Sequence, residues 1–135
     1  MKNVFKISVV LAFMLITSCK RENNEWIRIN QLGYRPNDIK VAVYISTKPV
    51  TLKTFRVIEV TSGKIAMTFN NVRQAESLDQ FLSCYRLPFT ELTKEGTYRI
   101  VAGKAVSPDF RIGDDVYDGT ADFLLNYMRQ QRCGY

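Results

Sequence analysis

The densest acidic group in the sequence is GDDVYDG (113–119), where Asp114, Asp115 and Asp118 stand within five residues. Paired carboxylates can divide the work of hydrolysis, one protonating a leaving group while the other activates water. These three directly precede ADFLLNYM, in which Ala121, Leu124, Leu125 and Met128 recur at the spacing of one helix face. Negative side chains at a helix start are favourable by about 0.3 to 1 kcal/mol each. The three therefore read as helix-start charges, with Asp118 or Thr120 as the cap and Gly134 as the stop, and no catalytic residue is assigned to this chain. There is no histidine anywhere. Ser-His-Asp hydrolysis, Cys-His catalysis and the common zinc sites are thereby closed to the chain acting alone, and no metal and no cofactor is expected.

Three cysteines remain as reactive groups. Cys19 follows a short positive region carrying Lys2 and Lys6, an apolar run ISVVLAFMLI (7–16) too short to span a bilayer, and two small residues. LITSC (15–19) resembles the bacterial lipobox, which implies a signal peptide over 1–18 and a lipid on Cys19. Each buried methylene of an acyl chain adds about 0.8 kcal/mol, so several chains would hold the protein on a membrane. Lys20 follows in place of the aspartate that marks inner-membrane retention in some bacteria, so the expected location is the outer membrane. Cys84 and Cys133 fall on a strand and at a distal helix end, and are expected as unpaired thiols.

The elements that would carry these residues are short. After a polar tether (19–25), WIRIN (26–30) alternates Ile27 and Ile29 with Arg28 and Asn30, and IKVAVYIS (39–46) places Val41, Val43 and Ile45 on one face. TFRVIEVTSGKIAMTF (54–69) reads as a hairpin reversed by Ser62 and Gly63. QFLSCYRLPF (80–89) is a strand that Pro88 either ends or confines to a sheet edge, and GTYRIVAGKAVSPDFRIG (96–113) pairs around Gly103 and Lys104. About seven short strands predict a β-sandwich, which closes at Ile112 where the period changes from 2 to 3.6. Basic residues, among them Arg28, Arg56, Arg86 and Arg99, are spread along the chain without an aromatic cluster, so no nucleic-acid partner is expected.

IRINQLGYRPNDIKVAV (27–43) is similar to the opening strands of the immunoglobulin-like domain that precedes the catalytic domain in glycoside hydrolase family 9 cellulases. Asn30, Gln31, Gly33 and Tyr34, followed by a proline and a lysine, are the most specific part, and FRIGDDVYDGTADFLLNYMRQQRCGY (110–135) resembles the family's junction with its catalytic barrel. The resemblance implies an all-β immunoglobulin-like sandwich over 26–113 and, over 114–135, a single α-helix that starts an (α/α)6 barrel absent from this sequence. It also implies an inverting β-1,4-glucanase as the parent enzyme, whose acid and base stand ~6.5 to 9.5 Å apart. The family's base lies in an Asp-x-Gly-Asp motif beyond this helix; no such motif occurs here. The chain is thus expected to be a truncated product, with the barrel as its partner and β-glucan met only through that barrel. Gly33 is expected to take a positive φ, and Asn30 and Gln31 to fix the turn rather than touch substrate. The alternative is a free-standing, lipid-anchored module that binds glycan or protein. It has no use for an apolar terminal helix, which discriminates the two readings.

Overall fold

The computed structural model describes residues 24–132, so the expectations for the signal peptide, Cys19, Cys133 and Gly134 lie outside the described residues. Nine strands occur among them: β1 (Glu25–Arg28), β2 (Val41–Ser46), β3 (Phe55–Glu59), β4 (Ile65–Phe69), β5 (Arg73–Ala75), β6 (Ser83–Pro88), β7 (Gly96–Ala102), β8 (Ala105–Val106) and β9 (Phe110–Ile112). One helix, α1 (Thr120–Arg132), follows. The strands form two sheets, β1-β2-β6-β5 and β4-β3-β7-β8, with β9 also paired to β7. Every strand pair is antiparallel. The count exceeds seven because β5 is a three-residue edge and the return from Gly103 is split into β8 and β9.

Alternation decides which side chains enter the space between the sheets. On β7, Tyr98, Ile100 and Ala102 are buried in turn, and they meet Phe55 and Val57 of β3 with Leu87 of β6 and Tyr44 of β2. Aromatic rings thicken this core: Phe55 stacks on Phe69 at 5.0 Å, and Phe89 and Phe110 lie 5.4 Å apart. Each such side chain contributes about 1.5 to 3 kcal/mol on full burial, so the sandwich has a core of its own.

Several local expectations change. The inward face of β2 is Ala42, Tyr44 and Ser46, while Val41 and Val43 look outward. Both faces of this strand carry apolar side chains, and the tyrosine ring fills the wide gap between sheets where the valines cannot. The β3–β4 reversal spans 60–64 rather than two residues, because Gly63 N–H closes back on the Glu59 carbonyl (2.9 Å) and Glu59 N–H on that of Lys64 (2.9 Å). Pro88 ends β6 without making it an edge, since β6 lies between β2 and β5. β1 begins at Glu25, inside the expected tether, where the Glu25 carboxylate accepts a bond from Lys104 N–H (2.8 Å) across the β7–β8 turn.

Helix α1 starts at Thr120, and among the described residues neither Asp118 nor Thr120 accepts a hydrogen bond from its first N–H groups through a side-chain oxygen. Turns at 115–120 lead into it instead, through Asp118 N–H to the Asp115 carbonyl (3.0 Å) and Thr120 N–H to that of Tyr117 (3.2 Å). Gly119 adopts φ +71°, with open space where a Cβ would lie. No helix residue is buried: Leu124, Leu125 and Met128 are each more than half exposed. The sandwich therefore gives this apolar stripe no partner. No described helix is long and apolar enough to cross a membrane.

Candidate functional site at the exit from the sandwich

Between β1 and β2 the chain crosses one end of the sandwich, and here lie the four signature residues. Asn30 brackets the turn with its side-chain amide: its Oδ1 accepts from Leu32 N–H (3.1 Å) and its Nδ2 donates to the Gly33 carbonyl (2.9 Å). An asparagine amide suits this place because it offers an acceptor and a donor two bonds apart. Gln31 is exposed and makes no side-chain hydrogen bond among the described residues. Gly33 holds φ +109°, and a Cβ there would stand 2.5 Å from the Arg111 carbonyl oxygen and 3.1 Å from Val116 Cγ1. Only glycine admits this approach of two backbones.

Tyr34 joins both sheets. Its N–H donates to the Arg111 carbonyl (3.0 Å) and its carbonyl accepts from Gly113 N–H (3.0 Å), a parallel bridge to β9 centred on Ile112. Its ring enters the core edge-on to Phe89 (5.4 Å) and Phe110 (6.0 Å), and its hydroxyl donates to the Val41 carbonyl (3.2 Å). Burial raises the phenol above its ordinary pKa, so it stays neutral and serves as a donor. Lys40 secures the far side of the loop. Its fully buried ammonium donates to the carbonyls of Pro36 (2.6 Å) and Asp38 (2.9 Å), with Thr90 at 3.5 Å. Burial pulls the Lys40 pKa down, and the nearby Asp38 opposes that.

The segment after β9 is fastened to this turn. Tyr117 hydroxyl donates to the Gly33 carbonyl (3.0 Å), the same oxygen that Asn30 uses, and the Arg35 guanidinium stands over the Tyr117 ring at 5.6 Å. Arg111 and Asp115 form an ion pair that holds the Asp115 carboxyl below the usual range. Asp115 is thereby a local tie rather than a helix-start charge. Asp114 and Asp118 are exposed, and no group of acidic or thiol side chains among the described residues could hold a metal. Cys84 is a buried free thiol. The bonds at the turn fix where the chain leaves the sandwich. Lys40 as an internal ammonium and Tyr117 as a clasp are the residues that local spacing does not single out.

Two antiparallel sheets in the orders β1-β2-β6-β5 and β4-β3-β7, the ABED and C′CF arrangement, define an immunoglobulin-like domain. Residues 22–107 match the family described as the cellulase N-terminal ig-like domain, and the chain belongs to that family. It is 33% identical over 109 residues to a xyloglucan-specific endo-beta-1,4-glucanase of Bacteroides ovatus, covering 81% of this chain and 18% of that enzyme. Among solved structures it is similar to a Bacteroides ovatus GH9 protein (30% identity, TM-score 0.66, 78% of this chain and 18% of the other). A metagenome-derived glycoside hydrolase family 9 endoglucanase is also similar (26% identity, TM-score 0.56, 69% and 18%). The chain therefore spans about a fifth of the length of these relatives.

Proposed function

We propose that this chain is the N-terminal accessory domain of a family 9 endoglucanase-like lipoprotein, which presents an (α/α)6 catalytic barrel to β-1,4-glucan. The observation that carries this reading is the pairing of a rigid exit with an unsatisfied helix. Gly33, Tyr34 and Tyr117 fix the segment that leaves β9, and α1 then offers Leu124, Leu125 and Met128 to a partner the sandwich does not supply. A free-standing binding module gains nothing from that stripe. Hydrolysis belongs to the barrel, and the chain alone carries out none.

A domain exchange tests this. Residues 24–132 replace the corresponding segment of the Bacteroides ovatus relative, and the chimera is expected to hydrolyse xyloglucan while the present chain releases no reducing sugar. A chimera that folds with both domains intact but has lost hydrolysis shows that this sandwich does not support a family 9 barrel.

The lipid anchor and outer-membrane location rest on LITSC (15–19) and Lys20. Cells fed a fatty-acid analogue are expected to label the protein, and Cys19→Ser to abolish the label. Label retained by the serine variant overturns the anchor.

A further inference from the structure

Arginines that are far apart in sequence meet on the sandwich surface. Arg28 stands opposite Val43, Val43 opposite Arg86, and Arg86 opposite Arg73, a single row across the whole β1-β2-β6-β5 sheet. Directly opposed residues share a face, so all three guanidinium groups project outward while Ile27, Tyr44 and Tyr85 of the adjoining row enter the core. Strands lie about 4.8 Å apart, which puts the Arg86 and Arg73 backbones about 5 Å from each other and Arg28 about 10 Å from Arg86. All three are exposed, and no carboxylate among the described residues pairs with any of them. Glu76 lines the open groove beside Arg73 and Arg86 yet forms no ion pair. Like charges directly opposed across strands destabilise a sheet, so the fold carries this row at a cost to its own stability.

The next row on the same face is Trp26, Ile45, Cys84 and Ala75, with Trp26 packed edge-on to Phe81 at 6.1 Å. Val41 and Val43 are more than a third exposed beside it. The face is thus cationic along one line and amphipathic along the next. Guanidinium groups, an indole and aliphatic side chains together suit the boundary between phosphate headgroups and hydrocarbon. Its edge strand is β1, and Glu25 lies only six residues after Cys19, a reach of roughly 20 Å at full extension.

We propose that the outer face of the β1-β2-β6-β5 sheet docks on an anionic phospholipid surface, with Arg28, Arg86 and Arg73 on the phosphates and Trp26 at the headgroup boundary. The placement beside a membrane rests on the lipid-anchor reading above; the chemistry of the face does not. Trp26 is the one tryptophan of the chain, so its emission reports this face directly.

The test uses the full chain, processed by its host and reconstituted with phosphatidylcholine vesicles, with or without phosphatidylglycerol. Blue-shifted Trp26 emission and quenching by brominated acyl chains are expected on the anionic vesicles alone, and are expected to fade with added salt. Arg28→Gln, Arg73→Gln and Arg86→Gln combined should lower the docked-to-undocked ratio roughly 100-fold, about fivefold per arginine. The same variant should melt no earlier than the parent, because the opposed charges are gone. Fatty-acid labelling of the same samples separates the two readings: anion-dependent quenching in unlabelled protein upholds docking and removes the anchor. Equal emission on both vesicle types, or quenching unchanged in the triple variant, overturns docking whatever the label shows. A shift produced by soluble polygalacturonate and by neither vesicle assigns the face to an acidic glycan and also overturns it.

Discussion

Gly33→Ala is expected to lower the melting temperature of this chain by about 15 °C, the consequence of a loss of about 3 kcal/mol in a domain of this size. Two effects combine at this position. A side chain at φ +109° is strained wherever it sits, and the new Cβ would meet the Arg111 carbonyl oxygen at 2.5 Å, a backbone atom with no freedom to swing aside. Relief requires the turn and β9 to separate. That separation breaks the bonds from Tyr34 N–H to Arg111 and from Gly113 N–H to Tyr34, and it draws Gly33 away from the Tyr117 hydroxyl. Tyr117→Phe provides the comparison, since it removes only the last of these and should cost about 1 kcal/mol. Thermal and urea denaturation of both variants check the ranking. If Gly33→Ala melts no earlier than Tyr117→Phe, the close approach of the two backbones is not what holds the junction.

Alkali is expected to unfold the sandwich cooperatively. Burial raises the pKa of Tyr34, of Tyr44, to which Glu25 also contributes, and of Tyr98 above the ordinary value of 10.0. Below pH 10 the stability linked to these phenols is fully present. Above it the unfolded chain sheds protons that the native state retains, so each phenol removes up to about 1.4 kcal/mol per pH unit, and the three together up to about 4. Lys40 acts in the opposite sense, because its folded pKa lies below 10.5 and the native state gains relative stability as pH rises through that interval. One group opposes three, so the net slope is downward. Tyrosinate absorbance of the buried set and loss of near-ultraviolet circular dichroism should rise together above pH 10. Complete ionisation of the tyrosines with the dichroism intact would sink this account.

The strands and the helix were legible because each is a local pattern. Tyr98, Ile100 and Ala102 alternate on β7, and Leu124, Leu125 and Met128 recur at helical spacing. The side of β2 that faces inward was not legible, since Val41, Val43 and Ile45 are more hydrophobic than Ala42, Tyr44 and Ser46, and only the gap between the sheets favours the larger ring. Lys40 resists sequence reading for a similar reason. A lysine is expected at the surface, and its burial depends on three carbonyls gathered from two separate loops. The signature turn announced itself through Asn30 and Gly33, whose chemistry is local. Its clasp did not, because Tyr117 lies 84 residues away. The arginine row was hidden in the same manner: Arg28, Arg73 and Arg86 are neighbours only through strand register.

The fastening of the exit segment ends at Tyr117, and Gly119, with φ +71° and open space around it, stands between that last clasp and the helix. Helix α1 therefore behaves as a lever with its fulcrum at one residue. At 1.5 Å per residue its 13 residues make an arm of about 20 Å, so a rotation of about 10° at Gly119 sweeps the far end through about 3 Å. Anything carried beyond α1 would inherit its bearing from the torsions around Gly119, and an alanine at 119 would collide with nothing yet disfavour the φ of +71° that sets that bearing.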